Sequence, residues 1–178
     1  SFDLTVTDDA LAEPTETLVA TLSGASYSDG AATATSTVST NITDNDALAF
    51  TLAANKTTTT EAGGAITYTL DLSQAVFGTG ETASVVVTPS GTAADGTDYG
   101  DFDTVMTAKA TATTGLTYTA GTNTFTFDDT FVGTQISFDL TVTDDALAEP
   151  TETLVATLSG ASYSDGAATA TSTVSTNI

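Results

Sequence analysis

Residues 1 to 42, from "SFDLTVTDDA" to "TSTVSTNI", return without a change at 137 to 178, an offset of 136 residues. No other feature limits the fold as strongly. Whatever these residues build at one end they can build at the other, and a fixed offset marks a tandem array whose unit is repeated in series. One full period, 43 to 178, is then preceded by the last third of another. The expected division is therefore 1–46 as the C-terminal part of one repeat and 47–178 as one nearly complete repeat. A single duplication inside an otherwise unique protein is the other origin of such a pattern.

The unit reads as all-β. "AITYTLDL" sets Ile66, Tyr68, Leu70 and Leu72 on one face and Thr67, Thr69 and Asp71 on the other. "QISFDLTVT" does the same with Ile136, Phe138, Leu140 and Val142. Period-two alternation of this kind predicts strands with one buried face. A strand is expected from Ala47, and "ASVVVT", "NTFTF", "TLVATL" and "TSTVSTNI" add others, rich in the Thr, Val and Phe that suit a pleated surface. Turn residues separate them at "EAGG", "GTGE", "TAADGTDYGD" and "SYSDG". Short, evenly spaced strands predict an immunoglobulin-like antiparallel β-sandwich. "DDALAEPTETLVATL" also carries Leu11, Leu18, Val19 and Leu22 at helical spacing, with Asp9 placed to cap and Pro14 in the first turn. The strand reading is preferred because "TETLVATLSG" alternates too and its flanks are β.

Charge decides the partners. The chain has 23 acids against Lys56 and Lys109, a formal charge of -21. The full period holds 17 acids and the leading piece six. Such a surface repels nucleic acid and anionic membranes and attracts small cations. The absence of Cys and His removes disulfides, thiolate sites, the usual zinc ligand and the usual general base. No spacing of Ser, Lys or paired acids singles out a catalytic set, so no enzyme activity is expected. No long apolar run is present, so membrane insertion by a helix is not expected either. "NIT" at 41 and "NKT" at 55 fit the glycosylation sequon, a match common by chance in a Thr-rich chain. The five tyrosines read as core or turn packing.

The acids are grouped. "TDDALAEPTETL" places Asp8, Asp9, Glu13 and Glu16 within nine residues, and its second copy does so with Asp144, Asp145, Glu149 and Glu152. Ca²⁺ takes six to eight oxygens at roughly 2.3–2.6 Å, so carboxylates from separate segments meeting at a loop end suit it. A solvated acidic loop that keeps neighbouring copies from sticking is the alternative.

The order "TTTEAGG", "SGTAADGTDYGDF", "FTF", "ISFDLTVTDDALAEPTETLVATLSG" and "VSTNITDND" resembles a Calx-beta repeat, the domain of sodium/calcium exchangers, integrin tails and very large bacterial surface proteins. The resemblance covers 43–178 as one domain and 1–46 as the last third of another. It is poorest over 104–122, where "TVMTAKATATTGLTYTAG" reads as an extended hairpin insertion. The resemblance implies a sandwich with calcium at the end where one domain meets the next. It implies Glu61, Asp98, Asp144, Asp145, Glu149 and Glu152 as metal ligands in one repeat. For the preceding repeat it implies Asp8, Asp9, Glu13 and Glu16 with Asp44 and Asp46 of "TDND", where Asn45 replaces a carboxylate. The acids that close the site of 47–178 are expected beyond Ile178.

These readings converge on a non-catalytic calcium-binding repeat of a large extracellular or bacterial cell-surface protein, a rigid extender in adhesion or matrix. Its partners are calcium ions and neighbouring identical repeats in the same or another chain. The alternatives are a filament subunit assembled by strand complementation between identical repeats, and a calcium-sensing regulatory module. Residues 1–42 cannot bury Phe2, Leu4, Val6, Leu18, Leu22 and Val38 alone, so their order implies completion by another copy.

Overall fold

A computed structural model describes residues 2–74 and 77–178; Ser1, the first residue of the leading copy, lies outside them. Two sheets face each other. The first has the order β10-β3-β4-β8, from β10 (Ala167–Ala170), β3 (Ala47–Ala54), β4 (Ala65–Leu72) and β8 (Gln135–Thr141). The second has the order β11-β9-β5-β7-β6, from β11 (Thr173–Asn177), β9 (Thr153–Tyr163), β5 (Thr82–Gly91), β7 (Thr124–Asp128) and β6 (Leu116–Thr119). The chain is thus mostly β and the architecture is the expected sandwich.

Alternation puts the core between the sheets. Ile66, Tyr68, Leu70 and Leu72 are buried from one sheet together with Leu48, Phe50, Phe138 and Leu140; Val85, Val87, Phe125, Phe127 and Leu154 are buried from the other. Each such side chain removed from water contributes about 1.5–3 kcal/mol before conformational entropy is set against it. Tyr68 stacks on Phe138 at 5.5 Å between ring centres, which locks β4 to β8 in the register Tyr68 opposite Phe138.

The expected hairpin over 104–122 is corrected by the structure. Its first half is a helix, α1 (Phe102–Thr111), and only its second half, β6, pairs with β7 as a hairpin. Asp101 caps the helix by accepting the Thr104 N–H at 2.8 Å, and Lys109 lies in the last turn where a cation suits the helix dipole. Phe102, Met106 and Ala110, spaced by four, are buried against the sandwich. Tyr118 of β6 donates to Asp103 at 2.6 Å, which holds the helix on the hairpin.

The leading copy forms a separate two-stranded hairpin, β1 (Glu16–Thr21) with β2 (Thr37–Ile42). The register is that of its twin: Thr21 lies opposite Thr37 as Thr157 lies opposite Thr173. In both copies of "DDALAEPTETLVATL" the second part is strand, from Glu16 and from Thr153, and the first part is neither helix nor strand, so the helix reading fails. The surroundings differ completely. Phe2 and Leu4 are 81 % and 65 % exposed, whereas their counterparts Phe138 and Leu140 are 4 % and 0 % exposed. Phe2 and Leu4 thus lack the strands that cover their twins in the body.

Candidate metal centre

Three segments converge at one end of the sandwich. Glu61 begins a short 3-10 turn, Glu61–Gly63, between β3 and β4. Asp98 sits in the turn after β5, and Glu149 and Glu152 precede β9. The backbone around them is tied down. Gly91, at φ +119°, lies so close to β9 that an added Cβ would meet the Thr153 carbonyl oxygen at 2.0 Å, so only glycine allows β5 to end there. Thr92 donates its N–H to that carbonyl at 2.9 Å and its hydroxyl oxygen accepts the Thr153 N–H at 2.9 Å. Asp98 Oδ2 accepts the Ala94 N–H at 2.6 Å, while the Asp98 carbonyl accepts the Thr143 N–H at 2.9 Å. Glu152 and Ile178 exchange two backbone hydrogen bonds of 3.0 and 2.9 Å, fixing the acidic loop against the end of the last strand. Lys56 gives its ammonium to the Gly63 carbonyl at 2.7 Å, which pins the Glu61 turn.

These ties bring the acids into mutual range. Carboxylate oxygens of Asp98, Glu149 and Glu152 all lie within 4.8 Å of one another. Glu61 and Asp145 line the same recess, together with Thr97, Thr143 and Ile178. Asp144 lies next door, in a recess shared with Glu61, Glu149 and Asn177. Unbalanced negative charge is visible in the acidities. A hydrogen bond to Asp98 raises the Glu152 pKa above its ordinary value, with desolvation and the charges of Asp98, Glu149 and Glu61 adding to it. Desolvation, then the charges of Asp98, Asp145 and Glu61, raise Glu149. Two oxygens on one Ca²⁺ lie at most about 5 Å apart, twice the metal–oxygen distance, so the spacing of this set fits that ion. The donors are all hard oxygens, which suits calcium or magnesium and not a thiophilic metal.

The leading copy gathers its own acids more loosely. Asp8, Asp9, Glu13, Glu16, Asp44 and Asp46 line one recess, with Asn45 on its wall. Asp44 accepts the N–H groups of Glu13 and Asp46 at 2.9 and 3.1 Å, and these bonds, that of Glu13 first, hold its pKa below the ordinary value. Glu13 is raised, chiefly by the charge of Asp9. Asp46 is raised by desolvation and then by Asp44, Asp8 and Asp9. The counterparts of Glu61 and Asp98 belong to the 43–136 part of a repeat, which the leading copy does not include.

A polar cluster at the opposite end of β9 escaped sequence reading. The Tyr163 hydroxyl donates to Glu81 at 2.6 Å and accepts from Gln74 Nε2 at 3.2 Å. Burial, then the bond to Glu81, pushes Tyr163 up to about 12. Asp165 is raised, first by its hydrogen bond to Glu81, and Glu81 is lowered, first by the Tyr163 hydroxyl, so that Asp165 is the partner that keeps a proton longer. The leading copy reaches this cluster: the Ala12 N–H points at Gln74 Oε1, 3.3 Å away. "SYSDG" and "GTGE" announced turns, and nothing in either string announced that the two turns meet.

The Calx-beta domain model matches residues 43–109 and 103–177. The overlap falls in α1, and strands from both matched segments pair within each sheet, β4 with β8 and β5 with β9. No curated protein matches the chain.

Proposed function

The chain belongs to the Calx-beta domain family, a family of structural and binding β-sandwiches associated with calcium, and from that premise we propose that it is a calcium-stiffened extender repeat of a large extracellular or bacterial surface protein. The convergence of Asp98, Glu149 and Glu152 at the strand end where Ile178 closes the repeat carries this reading. Glu61, Asp98, Glu149 and Glu152 would hold the ion, with Asp145 beside them, and Asp144 serves the neighbouring recess. Bound there, calcium would supply positive charge directly among the converging carboxylates. The exact copy at 1–42 supports a serial arrangement, and the four residues "TDND" between Ile42 and Ala47 are too few for a flexible tether. A ten-residue strand such as β5 spans about 33 Å at about 3.3 Å per residue, so each repeat adds roughly 40 Å of reach.

Melting with calcium and with a chelator tests the reading. With free calcium at about a hundred times its dissociation constant one site adds about 2.7 kcal/mol, or roughly 5–10 °C for a chain of this size. Equal midpoints would leave only the solvated acidic loop. A filament assembled by strand complementation is the second reading, favoured by the open apolar face of the β1–β2 hairpin, where Val38 is 64 % exposed.

A further inference from the structure

The two identical copies of "LAEP" differ in one respect. In both, an aspartate two residues before the leucine accepts its N–H, Asp9 to Leu11 at 2.9 Å and Asp145 to Leu147 at 2.6 Å, so the turn keeps its internal bond. Ala12 is nevertheless 4 % exposed and part of the main core cluster, whereas Ala148 is exposed. The difference comes from what Ala12 touches. Its N–H points at Gln74 Oε1, and it lies over Gly166, where an added Cβ would stand 3.4 Å from the Ala12 Cβ. Gly30, the twin of Gly166, would meet only the ring of Tyr27.

We propose that the Leu147–Pro150 turn is a knob for docking a second copy of the 43–178 repeat, seated on that copy's Gln74 and Gly166 as Ala12 is seated here. The occupant follows from identity: the knob is the same sequence as the one already docked, and the socket that accepts it belongs to the same 136-residue unit. Alanine suits the knob because it buries without loss of side-chain freedom, and glycine suits the socket because it leaves space for a methyl group. The contact supplies a direct, metal-independent joint between repeats and fixes one orientation of the acidic recess at 8–46 against the repeat that follows it. The proposal rests on the serial-repeat part of the functional reading and not on calcium.

Amide exchange in the full chain, measured in chelator, carries its own control, because Ala12 and Ala148 follow the same residues and have the same intrinsic rate. Ala12 is expected to exchange roughly tenfold more slowly than Ala148. Gly166→Val should erase the difference, whereas Gly30→Val should leave it. Lengthening the chain by another 43–178 unit should slow Ala148 to the rate of Ala12. Equal rates in the parent chain, a difference that survives Gly166→Val, or an Ala148 that stays fast in the lengthened chain would each overturn the proposal. If melting is indifferent to calcium while the exchange difference stands, the calcium reading falls and the joint remains.

Discussion

Glu149 and Glu152 are carboxyls held above their ordinary value of 4.5, Glu149 first by desolvation and Glu152 first by its hydrogen bond to Asp98, with the acids around them adding to both, while the nearby Lys56 ammonium is given to the Gly63 carbonyl. A raised native pKa means that the folded chain binds protons that the unfolded chain has released. The stabilisation this brings is present below the ordinary value and is lost as pH rises through the raised one. In chelator, the melting midpoint should therefore fall as pH rises from the ordinary glutamate value of 4.5 towards neutrality, and calcium should flatten that fall by replacing protons with a metal charge. Asp44, Asp101 and Asp128 have the opposite sign: their lowered values cost stability only as pH drops below the ordinary aspartate value of 3.8. Asp98→Asn with Glu152→Gln should remove most of the calcium shift and should flatten the chelated profile without lowering the midpoint at neutral pH. A double variant that keeps the full calcium shift would place the ligands elsewhere. A chelated profile already flat between those pH values would show that the acids do not strain the calcium-free fold.

Two strands of one sequence, β1 and β9, let the role of packing be separated from that of propensity. Leu154 is 0 % exposed in the sandwich and its twin Leu18 is 41 % exposed in the hairpin. Leu154→Ala should cost about 2–5 kcal/mol, the loss of buried methyl groups plus the cavity, whereas Leu18→Ala should stay within about 0.5 kcal/mol. Urea melts of the two variants measure both; equal losses would mean that the hairpin is packed as tightly as the body. The strands that sequence reading located, β4, β8 and β9 among them, announce themselves by alternation of large apolar and polar residues. β10 does not, because "AATA" has no large side chain and its place is set by parallel pairing with β3, Ala168 opposite Leu48. α1 was legible only in part. Its Thr and Ala content suggests no strong preference, yet the Asp101 cap and the four-residue spacing of Phe102, Met106 and Ala110 were there to be read. The acids of the 144–152 loop stand out in the sequence because they cluster, whereas Glu61 and Asp98 are implied only by the resemblance. That Asp144 falls in a neighbouring recess, which shares Glu61 and Glu149 with the Asp98 group, is not visible in any spacing of the sequence.

The 178 residues contain two segments able to finish a sandwich and one sandwich for them to finish. Residues 137–178 occupy the place beside β5 and β4, and the link from Ile42 to Ala47 is too short for 1–42 to fold back and take it. Exchange between two chains does not change the count, because every swap that buries Phe2 in a partner releases a Phe138 from it. Each chain therefore keeps one open apolar edge in any closed assembly, and that edge is a template for pairing with another chain. Light scattering of the 178-residue chain should show association that grows with concentration. Net charge opposes it, since the chain carries -21, so added salt should strengthen association. Placing an additional 43–136 unit ahead of residue 1 supplies the missing strands, and that longer chain should be monodisperse with amides of β1 as protected as those of β9. Persistence of association in the longer chain would locate the adhesive surface outside residues 1–42, whereas a parent chain that stays monomeric at every concentration and salt would show that charge alone keeps the open edge apart.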